Sequence, residues 1–135
     1  MAIINWSSNL SVKIDKIDNQ HKKLISMINE LHDAMKAGQA NDIIGKILND
    51  LINYTAEHFK TEEDLMIKFK YPDYNQHKIE HTKFVQEVNN IKKDLEAQKM
   101  MLSLKVMNFL KDWLSNHIMK SDQKYSNFFN SNGVN

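Results

Sequence analysis

Hydrophobic residues recur at spacings of three and four along most of this chain, and each break in the rhythm falls on residues that end helices. From His21 the apolar positions run Leu24, Ile28, Leu31 and Met35, one face of an amphipathic helix that starts near Asp15 to Asp18 and stops at Gly38. A second stripe of Leu48, Leu51, Ile52, Thr55, Phe59, Leu65, Met66 and Phe69 predicts a helix from about Asn41 that ends before Tyr71-Pro72-Asp73. Asp73 or Asn75 can cap a third helix, carried by Phe84, Val88, Ile91 and Leu95 and fading around Ala97 to Met100. The fourth carries Leu102, Val106, Phe109, Leu110, Trp113, Leu114 and Ile118 and runs on to Phe128 and Phe129. Residues 1 to about 15 hold Trp6, Leu10, Val12 and Ile14 without helical spacing and read as an arm laid over the rest, and 130–135 read as a polar tail. Short connections between long helices force antiparallel neighbours. The pattern therefore predicts an all-α, up-down-up-down four-helix bundle, one domain over 1–135.

Composition narrows the chemistry. With 135 residues, 41% hydrophobic and 26% charged, the chain can bury a core and has the size of one domain. Three glycines and one proline suit long helices. The net charge is +1 and all 18 basic residues are lysines, so no arginine fork is available for phosphate and nucleic acid is not an expected partner. Cysteine is absent, which excludes disulfides, thiolate metal sites, iron–sulfur clusters and cysteine nucleophiles, so any metal must be held by nitrogen and oxygen. No basic-then-apolar leader and no run approaching eighteen apolar residues is visible, so neither signal peptide nor membrane insertion is expected.

The six histidines are His21, His32, His58, His77, His81 and His117. His58 with Glu62, and His77 with His81, are one turn apart and share a helix face. In an antiparallel hairpin, residues equidistant from the turn lie at one height, because both helices rise about 1.5 Å per residue. His21 and His58 are symmetric about position 39.5, Glu62 and His81 about 71.5, and His81 and His117 about 99, while His77 pairs with position 121, beside Asp122. Three separately located turns thus bring five histidines and two carboxylates to one layer. His32 lies about 16 Å along the axis from His21 and is left out. Dry, such a layer holds too many acceptors and too few donors, and burying them unpartnered costs several kcal/mol each; a cation resolves the imbalance.

Seven ligating side chains exceed what one ion takes. Two ions fit better, His77, His81 and His117 on one, His21 and His58 on the other, with Glu62 and Asp122 bridging. A bridging oxide or hydroxide would leave the second ion with an open position for a small molecule. Imidazole and carboxylate suit iron, manganese or zinc alike. For an iron pair, dioxygen uptake that moves two electrons and one proton internally leaves the layer's charge unchanged, which favours reversible binding in an apolar interior. Carboxylate-rich di-iron oxygenases use Glu-x-x-His motifs, and none occurs here. His117 and Asp122 are five apart, about 140° around an ideal helix, so both reach the layer only if the helix is distorted between them, as by a π-bulge.

Asp18-Asn-Gln-His21, His58-Phe-Lys-Thr-Glu62-Glu63-Asp-Leu-Met66, Tyr71-Pro72 followed by His77 and His81, and Trp113-Leu-Ser-Asn-His117 through Asp122 to Tyr125 together resemble the single-domain bacterial hemerythrins, from Trp6 to about Phe128. The resemblance implies a non-haem di-iron centre binding dioxygen reversibly as hydroperoxide, with His21, His58, His77, His81 and His117 as terminal ligands and Glu62 and Asp122 as bridges. It also implies an apolar oxygen pocket of Phe59, Trp113, Leu114 and Ile118, each of which is equally suited to plain core packing. One departure is Lys13, where bacterial relatives often carry glycine; it bears on the arm's turn and not on the metal site. Tyr54, Tyr74 and Tyr125 are candidates for contacts just outside the ligands.

The expected function is an oxygen carrier, store or delivery protein, a cytoplasmic monomer rather than an enzyme. The competing readings are a redox enzyme acting on peroxide, nitric oxide or ferrous iron, for which no convergent acid, base or substrate cavity is legible, and an oxygen sensor, which normally needs an output domain.

Overall fold

The computed structural model describes residues 4–38, 41–96 and 104–135, with the side chains of 41, 94–96 and 104–106 left aside. A 3-10 turn, Ser8–Leu10, precedes five helical segments: α1 (Asp15–Lys36), α2 (Asn41–Lys68), α3 (Tyr74–Glu96), α4 (Leu104–Asn116) and α5 (Gln123–Ser131), with a π-helical stretch, His117–Asp122, joining the last two. α4, the π stretch and α5 form one rod, so the architecture is a four-helix bundle, and no strand occurs among the described residues. The turn centred near 99 and Leu102 fall outside the described residues.

Two apolar clusters fill the bundle. The larger takes Leu24, Ile28 and Leu31 from α1, Leu48, Leu51 and Phe59 from α2, Phe84, Val88 and Ile91 from α3, and Met107, Leu110 and Leu114 from α4. The smaller gathers Val12 and Ile14 of the arm with Ile17, Met66, Tyr71, Tyr125 and Phe129. Each fully buried aliphatic side chain contributes about 1.5–3 kcal/mol of transfer free energy. The inward stripe of α4 is corrected at one point. Phe109 lies on the rim at 37% exposure, and fully buried Met107 packs in its stead.

On every rod the histidines and carboxylates lie between the two clusters in sequence. Ile17 and Leu24 flank His21, Leu51 and Met66 flank His58 and Glu62, Tyr71 and Phe84 flank His77 and His81, and Leu114 and Tyr125 flank His117 and Asp122. A polar layer is thereby sealed between apolar ends.

The arm is tied down by hydrogen bonds rather than by packing alone. Asp18 accepts from the Ser11 hydroxyl at 2.6 Å and the Val12 amide at 2.8 Å, which explains an acid three residues before His21. Ser126 donates to the Val12 carbonyl at 2.6 Å, and the Asn29 side chain exchanges two bonds with the Ile4 backbone at 3.0 and 2.9 Å. Lys13 keeps the turn despite its side chain, with φ 58°. α5 continues into the segment read as tail and closes with Gly133 at φ 84°, the Val134 amide bonding back to the Phe129 carbonyl at 3.0 Å. Val134 packs on the smaller cluster.

α2 ends in the same Schellman arrangement, the Tyr71 amide reaching the Met66 carbonyl at 2.8 Å and the Lys70 amide the Ile67 carbonyl at 3.3 Å. The residue that must turn left-handed is Lys70, φ 56°, where glycine carries no steric cost. Relief of that strain outweighs the added freedom of the unfolded chain. Lys70→Gly should therefore raise stability by about 0.5–1 kcal/mol, read as a higher denaturant midpoint with an unchanged slope; a lower midpoint would refute it.

Candidate metal centre

All seven residues expected in the layer are buried and in mutual contact. His21, Glu62 and Asp122 are fully inaccessible, and His58, His77, His81 and His117 are at most 4% exposed. Asp122 reaches the layer because the helix widens to π geometry over His117–Asp122, the distortion expected from a spacing of five. Its Oδ1 lies 3.0 Å from His77 Nε2 and 3.1 Å from His117 Nε2, and its Oδ2 3.1 Å from His21 Nε2. Glu62 Oε1 lies 3.2 Å from His81 Nε2 and 3.4 Å from His58 Nε2, and Oε2 is 3.8 Å from His21 Nε2. Ligating atoms form two groups: Glu62, His77, His81, His117 and Asp122 in one, and His21, His58 and Glu62 in the other. His32 belongs to neither; its Nδ1 lies 4.0 Å from Asp33.

The outer contacts decide which ring nitrogen holds the proton. Glu63 sits 2.9 Å from His81 Nδ1, and a carboxylate only accepts, so Nδ1–H donates and Nε2 of the neutral ring presents a lone pair inward. Gln20 does the same for His58. Its Nε2 donates to Thr61 Oγ1 at 3.3 Å, which turns Oε1 toward His58 Nδ1 at 2.7 Å. The inward lone pairs then face carboxylate oxygens, and His81 Nε2 also faces His117 Nε2 at 3.1 Å. Acceptor facing acceptor is repulsive in a dry interior unless a cation lies between. Donors bound about 2.1 Å from one ion at right angles stand about 3 Å apart, the separation seen around Asp122 and between Glu62 and His81. Both imidazole nitrogens of His21, both carboxylate oxygens of Asp122 and Glu62 Oε1 have no hydrogen-bond partner. The donor set thus fits metal ions of the nitrogen- and oxygen-preferring kind.

Without metal, protons must do part of this work. Burial acts to lower His21 and His117, yet the Asp122 and Glu62 carboxylates beside them outweigh it and hold them up at about 9 and about 10. His58 is pushed down to about 4 by burial, only partly countered by Glu62. Burial also drives the Tyr125 phenol well above its usual value, and its hydroxyl donates to Glu62 Oε2.

Two of the expected pocket residues stack on histidines of the layer. Phe59 stacks on His81 with centroids 3.7 Å apart and planes 3° apart, and Trp113 stacks on His117 at 4.5 Å and 13°. Leu114 and Ile118 are buried at the adjoining end of the larger cluster. Of the three tyrosines only Tyr125 has a described contact with the layer; Tyr54 lies under Lys23 and Tyr74 packs on the smaller cluster. Gln20, Glu63, Glu80 and Ser121 were missed. Ser121 donates to both Glu80 oxygens at 2.7 and 2.9 Å, and Glu80 Oε1 faces His117 Nδ1 at 3.7 Å. Their only sequence signal is position, one residue before His21, one after Glu62, and one before His81 and Asp122.

An all-helical bundle with a sealed histidine–carboxylate layer defines a cation-binding helical protein. The family model "Hemerythrin HHE cation binding domain" matches residues 12–128, and the chain belongs to the hemerythrin family. It is 37% identical to a bacteriohemerythrin of Methylococcus capsulatus over 93% of this chain and 95% of that one. A hemerythrin-like protein of Naegleria gruberi is 37% identical over 90% of this chain and 89% of the relative. A solved wild-type hemerythrin superposes with a TM-score of 0.88 at 36% identity, covering 93% of this chain and 96% of that one.

Proposed function

We propose that the chain binds dioxygen reversibly, as a cytoplasmic carrier, store or delivery protein, at two iron ions held by His21, His58, Glu62, His77, His81, His117 and Asp122 with a bridging oxide or hydroxide. The observation that carries the reading is the unequal division of donors around shared carboxylates. Three imidazoles stand on one side and two on the other, with Glu62 common to both groups and Asp122 Oδ2 reaching across to 3.1 Å from His21 Nε2. The side with fewer donors is left one short, which is room for a diatomic ligand. Bound there, the iron pair supplies the electrons that dioxygen takes up and returns.

The chain's own residues keep the exchange reversible. Glu63 and Gln20 hold the His81 and His58 rings with their lone pairs inward, and Tyr125 holds Glu62. Phe59, Trp113, Leu114 and Ile118 wall the layer with apolar surface and exclude the water and protons that would make oxidation irreversible. Reduced protein exposed to oxygen and then deoxygenated should cycle between two absorption spectra with little loss. Irreversible oxidation on first exposure, or turnover of added peroxide or nitric oxide, would replace the carrier by an enzyme.

Leu114 tests the wall. Leu114→Ala removes buried apolar volume from the larger cluster and should speed oxidation to the ferric state roughly tenfold, a change of about 1.4 kcal/mol in barrier. Unchanged autoxidation in the folded, iron-loaded variant would remove Leu114 from the pocket.

A further inference from the structure

The layer is walled by apolar surface on the side of Phe59, Trp113, Leu114 and Ile118 and on the side of Ile17, Tyr125 and Phe129. Polar chain leads to the surface in another direction. A cleft of about 130 Å³ between the start of α3 and the π stretch has His77 and Ser121 among its lining residues, with Asp73, Gln76, Glu80 and Lys124 completing its polar wall. Exposure falls steadily inward: Asp73 and Lys124 are exposed, Glu80 is partly so, and His77 is 3% exposed. Glu80 is the hinge of this series. Its carboxylate faces both the cleft and His117 Nδ1, a buried atom with no hydrogen-bond partner.

We propose that this cleft is the entrance by which ferrous iron reaches the layer, Asp73 drawing the cation in and Glu80 passing it to His77 and His117. The inference rests on the metal-centre reading above. Carboxylate oxygens suit an ion that still carries its waters, and imidazole suits ferrous iron once it is dehydrated, so oxygen donors outside and nitrogen donors inside are in the order a dehydrating ion needs. The cleft is wide enough for several waters, so dehydration can proceed in steps. The groove between α2 and α3 is the other approach. It reaches His81 and Glu63, but there Phe59 lies flat on the His81 ring, with centroids 3.7 Å apart, and covers it with apolar surface.

The mouth carries two tests of opposite sign. Asp73→Asn keeps a residue that can cap α3 and removes one negative charge; Lys124→Glu reverses one positive charge at an exposed position. With ferrous iron alone added anaerobically to metal-free protein, uptake timed by competition with a chromogenic chelator should slow about fivefold in Asp73→Asn and quicken by a similar or larger factor in Lys124→Glu. Both effects should shrink at high salt, and the final iron content should equal that of the parent chain. Asp64→Asn, at an exposed position lining the groove between α2 and α3, should leave the rate unchanged. Equal rates in the two mouth variants, shifts of the same sign, or slowing in Asp64→Asn alone would overturn the entrance. A parent chain that takes up no iron would instead overturn the metal centre itself, and the entrance with it.

Discussion

Glu62→Ala should empty the centre. Glu62 is the one residue common to both groups of ligating atoms, its Oε1 facing His58 and His81 and its Oε2 facing His21 at 3.8 Å. Truncating it removes half of the layer's carboxylate charge and leaves the Tyr125 hydroxyl without its acceptor. Ligand-supporting contacts outside a metal site are commonly worth 10–100-fold in affinity, so loss of a shared ligand should weaken iron binding by more than about 100-fold. The empty, unbalanced layer should cost about 3–5 kcal/mol of stability, as when one partner of a buried ion pair is removed. The measurement is iron per purified chain, beside thermal unfolding. His32→Ala is the control, since its ring stands outside both groups, and its iron content should match the parent. Two irons per chain in Glu62→Ala would defeat the assignment.

Removing iron by chelation should destabilise the parent chain on a similar scale. Iron present at about 1,000 times its dissociation constant contributes about 4 kcal/mol per site, which for a domain of this size lowers the unfolding midpoint by on the order of 10 °C when lost. The pH dependence has a definite sign. In the metal-free chain His21 and His117 are raised to about 9 and about 10 by the carboxylates they face, against the pull of burial. Their contribution is therefore complete below the unfolded histidine value near 6.5 and is lost as pH rises toward 9–10. His58, lowered to about 4 by burial, acts oppositely and costs stability as pH falls from 6.5 toward 4. The metal-free chain should be most stable near pH 6.5. Iron binding requires unprotonated imidazoles and so tightens as pH rises. The gap in midpoint between loaded and stripped protein should thus widen between pH 6.5 and 9; a gap that narrows over that range would show that protons do not occupy the ligand positions.

Much of this arrangement was legible before any coordinates. Gly38 and Pro72 mark two turns, and counting outward from them places His21 beside His58 and Glu62 beside His81, because rise per residue is nearly constant along a helix. The π stretch was legible for the same reason: His117 and Asp122 at a spacing of five cannot share a face of a regular helix. The stripe of α4 was misread at Phe109, since two large apolar residues two apart, Met107 and Phe109, cannot both point inward and periodicity alone does not rank them.

What the amino-acid sequence determined by itself was height and face: which residues lie in one slab, and which helix must deform to put them there. Only the tertiary structure decided what stands behind each imidazole. Gln20 behind His58, Glu63 behind His81, and Ser121 with Glu80 behind His117 depend on how each helix is rotated about its axis and which rotamers its neighbours leave open. Likewise the arm's course under Asp18, the left-handed lysines at 13 and 70, and the polar cleft beside His77 arise where separate elements meet. Periodicity is a property of one helix at a time, whereas these contacts are made between helices, and no spacing along a single chain encodes the angle at which two of them pack.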